Sequence, residues 1–266
     1  MSNALDFKAL LSRYLRARIP LVAIRTEERL RALEFLREVA DDIGLGVLVH
    51  TLSKGVQDLC RGQTVSDDRS LAAAIESATN LFSSRTNATF VLTDLSDLRG
   101  DNPLNRRLLD LVLLASQRSG TIVVISVEGM WAPLRRTGVS LQLSPPDWDE
   151  MHQLIHKVLE PHSATVPNEW EAEDYQKAAT ILTVLTRMEA ENLLYTLLAG
   201  RRVSKSDLAD LARAKDQFFT DMAGIERIRT IPEQVRVGGL AGLREWLDQE
   251  YPLLLADLRD RQMRPP

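Results

Sequence analysis

Five short β-prone runs stand out in the first 144 residues, most of them apolar along their length: "LVAIR" at 21–25, "VLVHT" at 47–51, "TFVLTD" at 89–94, "TIVVIS" at 121–126 and "SLQLS" at 140–144. Continuous apolarity over so few residues predicts strands covered on both faces, whereas a half-exposed strand would alternate. Between these runs the apolar residues return at helical spacing. Phe7, Leu10, Leu11, Tyr14 and Leu15 share one face, as do Leu71, Ile75, Ala78 and Phe82. The stretch from Glu28 to Ala40 is rich in Leu, Glu and Arg, and "NRRLLDLVLLASQRSG" closes on Gly120 just before a strand. Strands alternating with helices predict an α/β fold, a five-stranded parallel sheet sandwiched by helices with right-handed crossovers.

After "SPPDW" at 144–148 the pattern becomes helical throughout. Asp147 or Asp149 caps "WDEMHQLIHKVLEP", which Pro161 ends; "AATILTVLTRMEAENLLYTLLAG" reads as two short helices. Ser204 is the candidate cap of a last helix with Leu208, Leu211 and Phe218 facing the core. Pro232 and Gly238-Gly239 punctuate the chain beyond that helix. The expected organisation is a sheet domain over 1–148, a helical lid subdomain over 149–224, a linker over 225–236 and a further segment over 237–266.

Composition narrows the function. A chain of 266 residues with 44% hydrophobic and 26% charged residues builds a sizeable core. Its formal net charge of -4 gives no general reason to hold a phosphate backbone, so no nucleic-acid partner is expected. Cys60 is the only cysteine, which excludes an intramolecular disulfide and a cysteine-based zinc site and fits a reducing, cytoplasmic setting. The amphipathic amino-terminal helix is interrupted by Lys8, Arg13, Arg16 and Arg18, so neither a signal peptide nor stable membrane insertion is expected.

Candidate chemistry belongs at the carboxyl ends of the strands, where open parallel sheets bind ligands. The loop after the first strand reads Arg25-Thr26-Glu27-Glu28. A phosphate loop needs glycines to bring N–H groups onto oxygens, with a Lys and a hydroxyl for charge and magnesium. This loop has no glycine and no Lys-Ser/Thr pair, and its two carboxylates satisfy the helix dipole themselves and repel a triphosphate. Asp94 ends the strand in "FVLTDLSDL", where a nucleotide hydrolase keeps its magnesium carboxylate, but Leu95 stands where the second carboxylate belongs. With Asp97 and Asp101, Asp94 reads as a turn residue; the rival reading is a metal-dependent hydrolase built on these strand-end carboxylates. His152 and His156 have metal-ligand spacing, but Gln153 replaces the catalytic Glu of a zinc peptidase, so a solvated helix face is expected. Cys60 reads as a core residue and Arg135-Arg136 as an exposed loop pair, with contact to a neighbouring subunit's phosphate as its functional alternative. No catalytic residue and no metal ligand is assigned.

The segments "LSRYLRARIPLVAIRTEERLRALEFL", "FVLTDLSDL", "TRMEAENLL" and "VGGLAGLREWLDQ" together resemble the amino-terminal half of the conserved plastid and cyanobacterial open-reading-frame family of AAA+ ATPases. The resemblance implies a P-loop-NTPase-like sheet and lid whose nucleotide chemistry is lost, followed by the entry of a second module. Val237 and Gly238 match that module's adenine-side positions, and its phosphate loop is expected beyond Pro266. ATP and magnesium would then belong to the intact ATPase and no cofactor to this chain. The expected partners are proteins or other subunits of an AAA+ assembly, with oligomers formed by the intact ATPase. The function expected for the chain is that of a non-catalytic regulatory or partner-binding module, with a truncated adaptor in a hetero-oligomer as an alternative beside the metal-dependent hydrolase.

Overall fold

The computed structural model of this chain describes residues 4–223, together with positions 242, 245, 246, 248 and 249. Its contacts form two units, Met1–Gln217 and Phe218–Pro266, and the sheet and first eight helices belong to the first. The expected linker and the adenine-side candidates Val237 and Gly238 lie outside the described residues.

In chain order the elements are α1 (Ala4–Arg16), β1 (Leu21–Arg25), α2 (Arg29–Asp42), β2 (Val47–Thr51), β3 (Gly55–Asp58), β4 (Thr64–Ser66) and α3 (Leu71–Ser84). Then come β5 (Thr89–Leu92), α4 (Pro103–Gln117), β6 (Thr121–Ser126), α5 (Ala132–Arg135) and β7 (Val139–Gln142). The helical part holds α6 (Trp148–Leu159), a 3-10 turn at Glu160–His162, α7 (Ala172–Leu182), α8 (Arg187–Ala199) and α9 (Asp207–Ala223).

The seven strands lie in the order β4-β3-β2-β5-β6-β1-β7. The five expected strands are parallel to one another, with Val22 of β1 opposite Val123 of β6 on one side and Val139 of β7 on the other. The addition to the expected sheet is the antiparallel pair β3–β4, which extends it beyond β2. Gly55 has φ +70°, and a Cβ there would come within 2.3 Å of the Ser66 carbonyl oxygen, so only glycine lets β3 lie this close to β4.

Alternation along β6 sorts the core into two layers. Ile122 and Val124 pack with Phe82, Phe90, Leu92 and Leu108 under α3 and α4, while Val123 and Ile125 pack with Phe7, Leu11, Leu36 and Val39 under α1 and α2. Burial on both faces explains why β6 is apolar at nearly every position. Asn102 caps α4 through the Asn105 N–H, Pro103 opens it, and Gly120 closes it where a Cβ would strike the Phe82 ring at 2.6 Å.

A third core unites helices α6 to α9, with Met151, Ile155, Trp170, Ala178, Leu182, Leu194 and Leu211 buried together. Of the two candidate caps for α6, Asp147 takes the role in a reciprocal capping box with Glu150. Thr186 and Glu189 form another box at the start of α8. Ser204 differs from expectation: its N–H donates to the Asp207 carboxylate at 2.8 Å and its hydroxyl contacts that of Ser206, so the helix's own first residue reaches back over the turn.

Candidate functional site

A crevice of about 630 Å³ lies where β1, β5 and β6 end, roofed by the first turn of α8. Its place is the one the sheet topology predicts for a ligand: β1 lies between β6 and β7, and the connections that leave β1 and β6 cover opposite faces of the sheet, α2 on one and α5 on the other.

The floor is the three-residue turn Thr26–Glu28 between β1 and α2. Thr26 continues the strand by donating its N–H to the Ser126 carbonyl, and its hydroxyl accepts the Glu28 N–H at 3.0 Å. This turn leaves Glu28 buried at the amino end of α2. One Glu28 oxygen accepts the Arg187 backbone N–H at 2.6 Å and the other accepts Arg31 Nη1 at 2.5 Å. Arg187 is the first residue of α8, so Glu28 supplies an anion to a helix amino terminus, the position at which a bound phosphate would be stabilised.

Arg31 extends the connection. Its guanidinium is 4% exposed and makes paired bonds from Nη2 to Glu150 at 2.9 and 2.7 Å, with a bond from Nη1 to the Ser144 carbonyl at 2.7 Å. It also lies over the Phe35 ring, 5.1 Å from the centroid. Arg31 therefore ties α2 both to the segment leaving β7 and to α6. Arg187 adds a third tie, donating to Glu34 at 2.5 Å and to Glu191 at 2.9 Å. Burial alone pulls the Arg187 guanidinium down, but the bond to Glu191 and the charges of Glu34 and Glu191 outweigh it and leave its pKa above the ordinary value.

At the end of β5 the expected turn residues separate. Asp94, at φ +60°, pairs with Arg29 and lies 2.9 Å from the Thr93 hydroxyl. The Asp97 carbonyl accepts the Asn102 and Asn105 side-chain amides, and Asp101 pairs with Arg106 on the surface. Among the described residues no three His, Cys, Asp or Glu side chains gather as a metal site.

The remaining candidates lie elsewhere. His152 and His156 are half-buried rather than on a fully solvated face. They stack in a row, Trp148 against His152 at 5.1 Å, His152 against His156 at 4.7 Å and His156 against Tyr175 at 4.4 Å. Cys60 is half-buried beside Asp41 and Asp58, and burial with a bond to Asp41 pushes its thiol up to about 11. Arg135 and Arg136 are exposed at the opposite end of the sheet from the crevice.

Sequence reasoning found the Thr26–Glu28 turn but missed Arg31, Glu150 and Arg187. The crevice lining carries six carboxylates against three guanidiniums, an excess that repels a polyphosphate. Its rim is apolar, with Leu30, Val127 and Met188 exposed.

A family model described as "SpoVK-like AAA ATPase, N-terminal domain" matches residues 7–142, just over half of the chain. Among solved structures, a Rhizobiales Trip13 aligns at TM-score 0.53 and 11% identity over 87% of this chain and 93% of its own. PCH-2 of C. elegans aligns at TM-score 0.53 and 9% identity, covering 82% of this chain and 68% of the other. A variant of Thermotoga maritima RuvB gives 0.51 and 12%, covering 79% and 68%. At these identities the likeness concerns the fold. No curated protein matches the chain in sequence.

Proposed function

The chain belongs to the SpoVK-like AAA ATPase N-terminal domain family, and from that premise we propose that it is a non-catalytic module whose lid is held on its sheet by the chain's own ion pairs in place of nucleotide. The observation that carries this reading is Glu28, whose carboxylate engages the amino terminus of α8 and the buried Arg31 together. In an ATP-bound module of this architecture, phosphate would bridge sheet and lid and its loss would release them. Here the bridging anion is covalently part of the chain at the start of α2, so the bridge does not depend on nucleotide.

The residues present do not fit a triphosphate with magnesium. The turn after β1 has no glycine to bring N–H groups onto phosphate, Arg29 neutralises Asp94, and the lining is acidic in excess. The ATP and magnesium chemistry of the family belongs, on this reading, to a catalytic module other than this one. The work of the described domain is to bind protein partners or neighbouring subunits and to set their geometry. The finer resemblance to the plastid and cyanobacterial family is part of the same proposal, as is a cytoplasmic setting. No helix among the described residues is long and apolar enough to cross a membrane.

Titration calorimetry of the chain with ATP and with ADP, magnesium present, tests the proposal. The expected result is no saturable heat at millimolar nucleotide; a micromolar Kd for either would overturn it.

A further inference from the structure

The strands β5, β6, β1 and β7 are neighbours and begin at the same pole of the sheet, the end opposite the crevice. Arginines stand before all four: Arg85 before β5, Arg118 before β6, Arg16 and Arg18 before β1, and Arg135 and Arg136 before β7. Five of the six are exposed; Arg18 is half-buried because its Nη1 donates to the Asn87 carbonyl at 2.8 Å. The loops are joined to one another. Asn87 N–H donates to the Arg118 carbonyl at 3.0 Å, and Ile122 N–H to the Pro20 carbonyl at 2.8 Å. Among the described residues no carboxylate pairs with any of the six arginines.

Helix ends account for part of this charge. The carboxyl ends of α1, α3, α4 and α5 face the pole, each worth at most about half a negative charge. Together they offset about two of six positive charges, leaving roughly four without a counter-charge. The pattern is also selective, because the carboxyl end of α2, beside β2, carries Asp41 and Asp42 instead. A rule that every helix end takes a basic residue would not have put acids there.

We propose that this pole docks an acidic segment of a partner polypeptide. The size of the patch favours that occupant. Four strands at about 4.8 Å spacing span about 14 Å, which an extended chain of about four residues covers. Asp41 and Asp42 border it on the β2 side, and β7 is the sheet edge on the other. A chain with a formal net charge of -4 that holds six arginines here carries -10 elsewhere, so a duplex or a lipid surface broad enough to extend past the patch meets repulsion. With a screening length of about 8 Å at physiological salt, a short segment within the patch escapes most of it. None of the exposed large hydrophobic side chains lies in these loops, so neither base stacking nor membrane insertion is provided for. Exposed Thr86, Gln117 and Ser119 stand among the arginines as further donors to carboxylate. The inference is independent of whether the crevice at the far end of the strands accepts nucleotide.

Fluorescence anisotropy of a labelled oligo-glutamate peptide with the full 266-residue chain is the test. Binding should be saturable and weaken with salt. It should fall about tenfold or more in Arg85→Gln/Arg118→Gln/Arg136→Gln, while Arg37→Gln/Arg61→Gln/Arg107→Gln, which changes net charge equally, stays within about twofold. Melting curves establish that each variant is folded, and Arg118→Gln alone, expected to weaken binding in the same direction, serves if the triple variant is not. Absence of saturable binding, or equal losses in both triple variants, overturns the proposal. So does tighter, pole-dependent binding of a labelled DNA duplex or of phosphatidylserine vesicles, which would assign the patch to a different polyanion.

Discussion

The Glu28 carboxylate accepts the Arg187 N–H at 2.6 Å, although the two residues stand 159 positions apart in the chain. That bond joins the turn after the first strand to the start of α8, beside the ties that Arg31 makes to Glu150 and Arg187 makes to Glu34. Glu28→Gln keeps the shape of that side chain but removes the charge that faces Arg31 and the α8 terminus. A loss of about 2–4 kcal/mol in stability is expected in urea unfolding, because Arg31 stays buried with a weaker partner.

Arg31 is more exacting, since two carboxylates and a carbonyl depend on it. Arg31→Ala should cost about 3–5 kcal/mol, the cost of leaving buried Glu28 and half-buried Glu150 without their counter-charge. Arg213→Ala, which breaks an exposed pair with Asp210 on α9, should change stability by less than about 0.5 kcal/mol. Comparable losses in the two variants would mean that the buried pairing at Arg31 holds the lid no better than a surface contact does.

Gly138 precedes β7 with so little room that a Cβ would come within 2.0 Å of the Leu21 carbonyl oxygen. Gly138→Ala must push β7 away from β1 and should destabilise by about 1–3 kcal/mol. Amide exchange should rise in β7 first and leave β5 and β6 unaffected.

Four of the five parallel strands were legible in the sequence because burial on both faces makes each one apolar at successive positions, whereas the edge strand β7 alternates buried Leu141 with exposed Ser140 and Gln142. The β3–β4 pair was not, since Thr64 and Val65 are exposed, both strands are short, and the pairing depends on the backbone of Gly55. At the site, the missing glycines and the two carboxylates of Thr26–Glu28 were readable because phosphate binding has a local chemical signature. The partners of Glu28 had none. Arg31 is an ordinary helix residue in sequence, and Arg187 shows only its i,i+4 spacing to Glu191; their tertiary contacts span 119 and 159 positions. The His152–His156 spacing was visible, but the enclosing rings of Trp148 and Tyr175 come partly from a second helix and were not.

Cys60 gives a prediction on pH. With its thiol held near 11 against an ordinary 9.0, the native protein carries almost no thiolate at neutral pH and should react with a disulfide reagent far more slowly than the unfolded chain. The unfolded chain loses this proton first, so the thiol's contribution to stability is intact below pH 9.0 and is lost as pH rises towards 11. Cys60→Ser should flatten that part of the stability profile.

Hydrogen exchange at the first-turn amides of α8, Arg187 above all, compared with and without millimolar ATP and magnesium, tests most directly whether Glu28 holds the lid. The predicted result is strong protection in the absence of nucleotide, unchanged when it is added, and lost in Glu28→Gln. An Arg187 amide that exchanges freely until ATP is present would contradict it, because nucleotide, and not Glu28, would then be what holds the lid.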